Sequence, residues 1–225
     1  MSSSYPCKTT LAATAVGVSG AGVLLWLYRR RHQQEIIAGH PIKANREDQP
    51  HCEVLKSYPL MGQDKWLGGV ASFCGKYIYG VPGKAKTVLR IELATGKVDE
   101  IAGPFEGQFK WLRGAESPAD GCLYCMPSNA DSVLCIDPST QEVTTFGGPL
   151  PGDWKWHGGV LGNDGQIYAI PANAESVLKI NPLTKELTQF GGPLEGRQKW
   201  YGGLKGATGA IYGIPMNATG VLKIV

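Results

Sequence analysis

From Pro59 onward, short apolar runs alternate with turn residues in a recurring order. Trp66, Trp111, Trp156 and Trp200 mark the repeat, with spacings of 45, 45 and 44 residues. A lysine precedes each one: Lys65, Lys110, Lys155 and Lys199. Further on come Tyr79, Tyr124, Tyr168 and Tyr212, each preceded by Ile or Leu and followed three residues later by a proline. VLRI, VLCI, VLKI and VLKI then end at Ile91, Ile136, Ile180 and Ile224. In the third copy the apolar runs are KWHGGVL, GQIYAIP, SVLKINP and ELTQFGG, each too short for a helix and bounded by turn formers. Asn-Asp-Gly at 163–165 is a hairpin signal, and the Asn-Ala pairs after the prolines supply the next turn.

Four antiparallel strands in a unit of about 44 residues predict a β-propeller blade, with a hairpin solenoid as the poorer fit. The fold class is therefore all-β: a four-bladed propeller over 53–225, with repeats at about 59–103, 104–148, 149–192 and 193–225. The fourth copy reaches Val225 after its third strand. EVLKS at 53–57 resembles the missing fourth strand and is expected to close the last blade, clasping the ring. Two chains assembling eight blades, or a piece of a longer array, are the alternatives. Gly68-Gly69, Gly158-Gly159 and Gly202-Gly203 fall in the first strand of their blades, where glycine permits close approach at the axis; Arg113 breaks this pattern in the second copy. The repeated Trp and Tyr are expected to pack between blades.

The amino-terminal pattern is different. After a short segment at 1–8, residues 9–28 read TTLAATAVGVSGAGVLLWLY without a charge. A helix of twenty residues spans about 30 Å, the thickness of a bilayer's hydrocarbon core. Trp26 and Tyr28 stand at its end, followed by Arg29, Arg30 and Arg31. This order predicts an uncleaved single-pass transmembrane anchor with the propeller on the cytosolic side. A mitochondrial signal anchor has the same character, and the organelle stays open. Residues 29–52 read as a basic juxtamembrane segment and linker. The formal charge of +3 comes entirely from residues 1–57; residues 58–225 carry 15 basic and 15 acidic residues, so nucleic acid is not an expected partner. Glycine, at 31 residues, is abundant because it recurs with the blades.

Once a ring closes, a residue repeated four times becomes a ring of its own. Lys65, Lys110, Lys155 and Lys199 are thus the candidate binding residues for a small anion at the channel mouth. The alternative lays each lysine stem along its Trp. Asn129, Asn173 and Asn217 are expected to serve turns, and Asn217-Ala218-Thr219 is a glycosylation sequon that matters only on a luminal side. Cys122 and Cys125 form C-x-x-C on a predicted strand, where residues three apart face opposite ways, so no metal, cofactor or catalytic set is predicted.

VLCIDPSTQEV (133–143) and DGQIYAIP (164–171) resemble the repeats of the broad β-propeller group that includes kelch, YVTN and gluconolactonase-like proteins. The resemblance covers 53–225 and implies the fold. The lactonases of that group hold a divalent metal with axial Glu, Asn and Asp, and no such set carries over to this sequence. The expected function is a membrane-anchored, non-catalytic module that binds or scaffolds a protein partner on a propeller face. A lactonase-like metal-dependent hydrolase and a small-anion sensor are the alternatives.

Overall fold

A computed structural model of the chain describes residues 51–55 and 58–225. The expected transmembrane anchor at 9–28, the segment before it and the linker up to residue 50 lie outside the described residues. Among the described residues, no helix is long and apolar enough to cross a membrane. The propeller unit spans residues 54–225.

Fifteen strands run through this unit, grouped into four blades. The first contains β1 (Trp66–Ala71), β2 (Tyr77–Pro82), β3 (Val88–Glu92) and β4 (Lys97–Ile101). The second contains β5 (Trp111–Glu116), β6 (Leu123–Pro127), β7 (Val133–Asp137) and β8 (Glu142–Phe146). The third contains β9 (Trp156–Leu161), β10 (Ile167–Pro171), β11 (Val177–Ile180) and β12 (Leu187–Phe190). The fourth has three strands, β13 (Trp200–Lys205), β14 (Ile211–Pro215) and β15 (Leu222–Ile224). Within each blade, consecutive strands pair antiparallel; Tyr124, for example, lies between Ala115 on β5 and Cys135 on β7. Every first strand starts at the repeat tryptophan, whose indole N–H donates to a carbonyl just before or at the start of its own blade's third strand: Thr87, Ser132, Ser176 and Gly220, at 2.7–2.9 Å. The Trp therefore ties the two ends of a blade together as well as packing against its neighbour.

Apolar side chains from adjacent blades merge into three cores. Val70, Tyr79, Val81 and Val88 of the first blade meet Trp111, Leu123 and Leu134 of the second. Tyr124, Met126 and Val133 of the second meet Trp156, Ile167 and Leu178 of the third. Ile170 and Val177 of the third meet Trp200, Ile211 and Ile224 of the fourth. A fully buried aliphatic side chain contributes roughly 1.5–3 kcal/mol, so these joints dominate the stability of the unit. Glycine on the first strand makes the approach possible. A Cβ at Gly159 would come within 2.8 Å of Met126 Sδ, and one at Gly203 within 3.0 Å of Ile170 Cδ1.

Closure differs from the sequence expectation. β1 packs on β5, β5 on β9 and β9 on β13, and no comparable packing joins β13 to β1. Residues 53–55 form no strand, and the fourth blade keeps three strands. Leu55 lies instead beside Gly96, in the β3–β4 turn of the first blade, and Tyr58 hydrogen-bonds Glu100 on β4. Leu55 and Tyr58 thus lie against the first blade and not the last. Four blades are present, and the row is open at both ends.

Candidate functional site at the propeller axis

Three of the four repeated lysines are held by backbone carbonyls. Lys110, Lys155 and Lys199 are buried, and burial lowers each pKa. Lys110 Nζ donates to the carbonyls of Gly83 (2.8 Å), Ala85 (2.9 Å) and Gly107 (3.1 Å). Lys155 Nζ donates to those of Ser128, Ala130 and Gly152 at 2.7–2.9 Å. Lys199 Nζ donates to those of Ala174 and Gly196, both at 3.0 Å. An ammonium has three donors, and those of Lys110 and Lys155 are all used. Each of these lysines bridges its own loop to carbonyls of the preceding blade, so the ring of charge expected from the spacing is a set of interblade ties. Lys65, on the first blade, is half-buried and, among the described residues, hydrogen-bonds only the Leu60 carbonyl, at 2.5 Å.

The asparagines act at the same joints. Asn129 Oδ1 accepts the backbone N–H of Trp154 at 2.7 Å, and Asn173 Oδ1 that of Gln198 at 2.8 Å. Asn217 occupies the equivalent place on the fourth blade and is exposed. The tyrosines divide. Tyr79 and Tyr124 are fully buried, and their hydroxyls donate to Gln141 (3.2 Å) and to the Pro182 carbonyl (3.1 Å) of the following blade. Tyr168 donates to Asp164 in its own blade at 2.7 Å, and Tyr212 is half-buried.

A cavity of about 480 Å³ opens at the inner strands, lined by residues of all four blades. Its chemistry comes from two positions directly after the repeat tryptophans. The first carries Leu67, Leu112, His157 and Tyr201; the second carries Gly68, Arg113, Gly158 and Gly202. All four residues at the second position have left-handed backbones, with φ of 95°, 56°, 79° and 78°. Glycine suits that conformation, and arginine tolerates it at a cost of about 1–2 kcal/mol. Removing three side chains from the axis leaves room for one. The Arg113 side chain crosses it, with its guanidinium 5.8 Å from the Tyr201 ring centroid and Nη1 3.6 Å from where a Cβ on Gly202 would stand.

Arg113 is exposed and makes no salt bridge among the described residues. His157 stacks on Tyr201 with centroids 3.6 Å apart, and its buried Nδ1 has no hydrogen-bond partner. Burial, reinforced by the Arg113 charge, lowers the His157 pKa to about 4, so the imidazole is neutral at pH 7. Phe109 and Trp154, with centroids 4.8 Å apart, supply a further aromatic wall. Both hold left-handed backbones, as do Asp64 and Gln198 at the matching positions of the outer two blades. The pocket thus combines an unpaired cation, a neutral imidazole and aromatic faces. A larger groove of about 930 Å³ beside Lys155 and Arg197 lacks this combination, because its lining has no histidine and Trp156 as its one aromatic residue.

Sequence reasoning passed over Arg113 and His157 as ligand-binding residues. The signal was present as departures from the repeat, Arg where the other copies have Gly and His where two have Leu. The two cysteines of the C-x-x-C, Cys122 and Cys125, are buried. Burial raises the Cys122 pKa to about 12 and that of Cys125 further, which leaves both as thiols. Among the described residues, no three His, Cys, Asp or Glu side chains gather as metal ligands.

Solved structures share the fold at low identity. Virginiamycin B lyase from Staphylococcus aureus superposes with a TM-score of 0.60 at 18% identity, over 72% of this chain and 53% of that one. Kuenenia stuttgartiensis hydrazine synthase does so with a TM-score of 0.58 at 16% identity, over 77% and 49%. A 6-phosphogluconolactonase-like protein from Bacteroides uniformis gives 0.54 at 15% identity, over 72% and 53%. The chain therefore spans about half the length of these propeller proteins. No curated protein matches it in sequence. The family described as "Repeat of unknown function (DUF6923)" matches residues 72–225, and the chain belongs to that repeat family.

Proposed function

We propose that the chain is a non-catalytic binding module, tethered to a membrane through residues 9–28, whose axial pocket receives an acidic group of a protein partner. Arg113 carries this reading: an exposed guanidinium without a carboxylate partner, held where the repeat otherwise places glycine. A guanidinium offers a planar fork of donors that suits a carboxylate, and aromatic neighbours exclude water from the contact. Arg, Tyr and Trp together are the residue types that dominate binding energy at protein interfaces, which favours an acidic protein segment over a free ion. Neutral His157 adds no competing charge. The lactonase-like alternative would need metal ligands near the axis, and its relatives by structure lend this chain their fold alone.

The test is titration of the full chain, in detergent, with a short Glu-rich peptide, read through tryptophan fluorescence because Trp154 lines the pocket. A Gln-rich peptide and inorganic phosphate are the parallel arms. Binding of the acidic peptide at least tenfold tighter than the Gln peptide, and lost in Arg113→Gly, is the expected result. Equal affinity for the two peptides, or undiminished binding by Arg113→Gly, overturns the reading. A response to phosphate alone reassigns the pocket to small anions.

A further inference from the structure

The two ends of the blade row are the two halves of one joint. In each internal joint, four side chains of the leading face, the side turned to the next blade, enter the core. Of these, Val81, Met126 and Ile170 are 0% exposed. Their counterpart on the fourth blade, Ile214, is 47% exposed. Val88, Val133 and Val177 are likewise buried, whereas Val221 is 61% exposed and Leu204, on β13, 70%. At the other end, Trp66, Ile78, Leu89 and Ile91 are only half-buried, while Trp111, Leu123, Leu134 and Ile136 are buried against the preceding blade. A Cβ on Gly69 would meet only its own blade, unlike one on Gly114, Gly159 or Gly203.

The polar half of the joint is unused in the same way. By the repeat register, Met216 and Ala218 occupy the places of Ser128 and Ala130, whose carbonyls accept Lys155 Nζ. Lys65 occupies the place of Lys155 and reaches no preceding blade. Asn217 occupies the place of Asn173, whose Oδ1 accepts the Gln198 N–H; the matching N–H on the first blade is that of Asp64.

We infer that the leading face of the fourth blade receives the first blade of a second copy of this chain. In this joint Lys65 of one copy donates to the Met216 and Ala218 carbonyls of the other. Leu204, Ile214 and Val221 are then covered by the second copy's Trp66, Ile78 and Leu89. The contact is heterologous, so it either closes or polymerises. Two copies supply two identical joints, and four blades from each make a ring of eight. The inference does not depend on the axial pocket.

Native mass spectrometry of the full chain released from detergent at micromolar concentration tests it. The two-copy mass is expected. Ile214→Glu alters only the leading face and Lys65→Glu only the trailing face, both at positions exposed or half-buried in the single chain, so far-ultraviolet circular dichroism should be unchanged. Each variant alone should fall to the one-copy mass, and the two mixed should pair one-to-one through the single intact joint. A one-copy mass for the unsubstituted chain overturns the inference and leaves the face to another segment or a further blade. A two-copy mass that survives either substitution, or no pairing on mixing, overturns head-to-tail docking. Species larger than two copies overturn closure.

Discussion

The joint between the third and fourth blades and the outer face of the fourth are written with the same repeat positions. At the joint, Ile170 and Val177 lie under Trp200 and Ile211, and Lys199 reaches back to Ala174. One blade further on, Ile214 and Val221 carry the same kind of side chain into solvent. A blade's own strands therefore do not bury its apolar face; the neighbouring blade does. This is the behaviour of a repeat array, whose stability is a sum of intrinsic and nearest-neighbour contributions. It also explains why a repeat position has no fixed energetic value: its worth depends on whether another blade follows.

The comparison can be broken by substitutions made in pairs. Lys155→Met is expected to cost about 4 kcal/mol, because buried acceptors left unpaired cost ~1–3 kcal/mol each and the Ala130 and Gly152 carbonyls lose their donor, while Ser128 keeps the Lys155 backbone N–H. Lys65→Met, with one bond at the free end, should cost less than about 1 kcal/mol. Urea denaturation of the two variants at low protein concentration checks this, and equal losses would mean that the interblade tie is not what matters. Next in size, Ile170→Ala should lose about 3 kcal/mol in the same assay, within the usual range for a buried large-to-small change. Ile214→Ala should lose well under that and change the assembled mass instead.

The joints also differ in their response to acid. His157 has a folded pKa of about 4, below its ordinary value of 6.5. The unfolded chain therefore binds the proton first, and stability falls as pH drops from about 6.5 towards 4. Allowing for solvent near the pocket, the loss should be on the order of 2 kcal/mol. His157→Leu, which adopts the residue of the first two blades, should flatten that part of the pH–stability curve. The smallest expected effect has the opposite sign. Arg113→Gly relieves a left-handed arginine and should raise stability by about 1 kcal/mol while abolishing acidic-peptide binding. A destabilised Arg113→Gly variant would show that the arginine braces the axis rather than recognising a ligand.

Much of the fold was legible because strand propensity, turn chemistry and period all pointed one way. The Trp, Tyr and VLxI positions lie on the expected strands, and the blade count follows from the spacing. The lysine ring was misread for a physical reason. Spacing reveals that Lys110, Lys155 and Lys199 are equivalent, but whether an ammonium meets solvent or carbonyls depends on the loop of the preceding blade. The closing strand differs for a similar reason, since EVLKS matches a strand in composition, yet its Leu55 lies on the first blade, next to Gly96. Arg113 and His157 were visible as breaks in the repeat, without a way to know that both faced one cavity.

The sequence alone determined the number of blades, the first three strands of each and the paired glycines on the first strands of three of them. These follow from local backbone preference and from a period set by side chains a few residues apart. Only the tertiary structure decided where each charge goes, which faces stay open and which residues meet at the axis. Those outcomes depend on contacts between blades some 45 residues apart, where burial and hydrogen-bond partners are set by the neighbour and not by the segment itself.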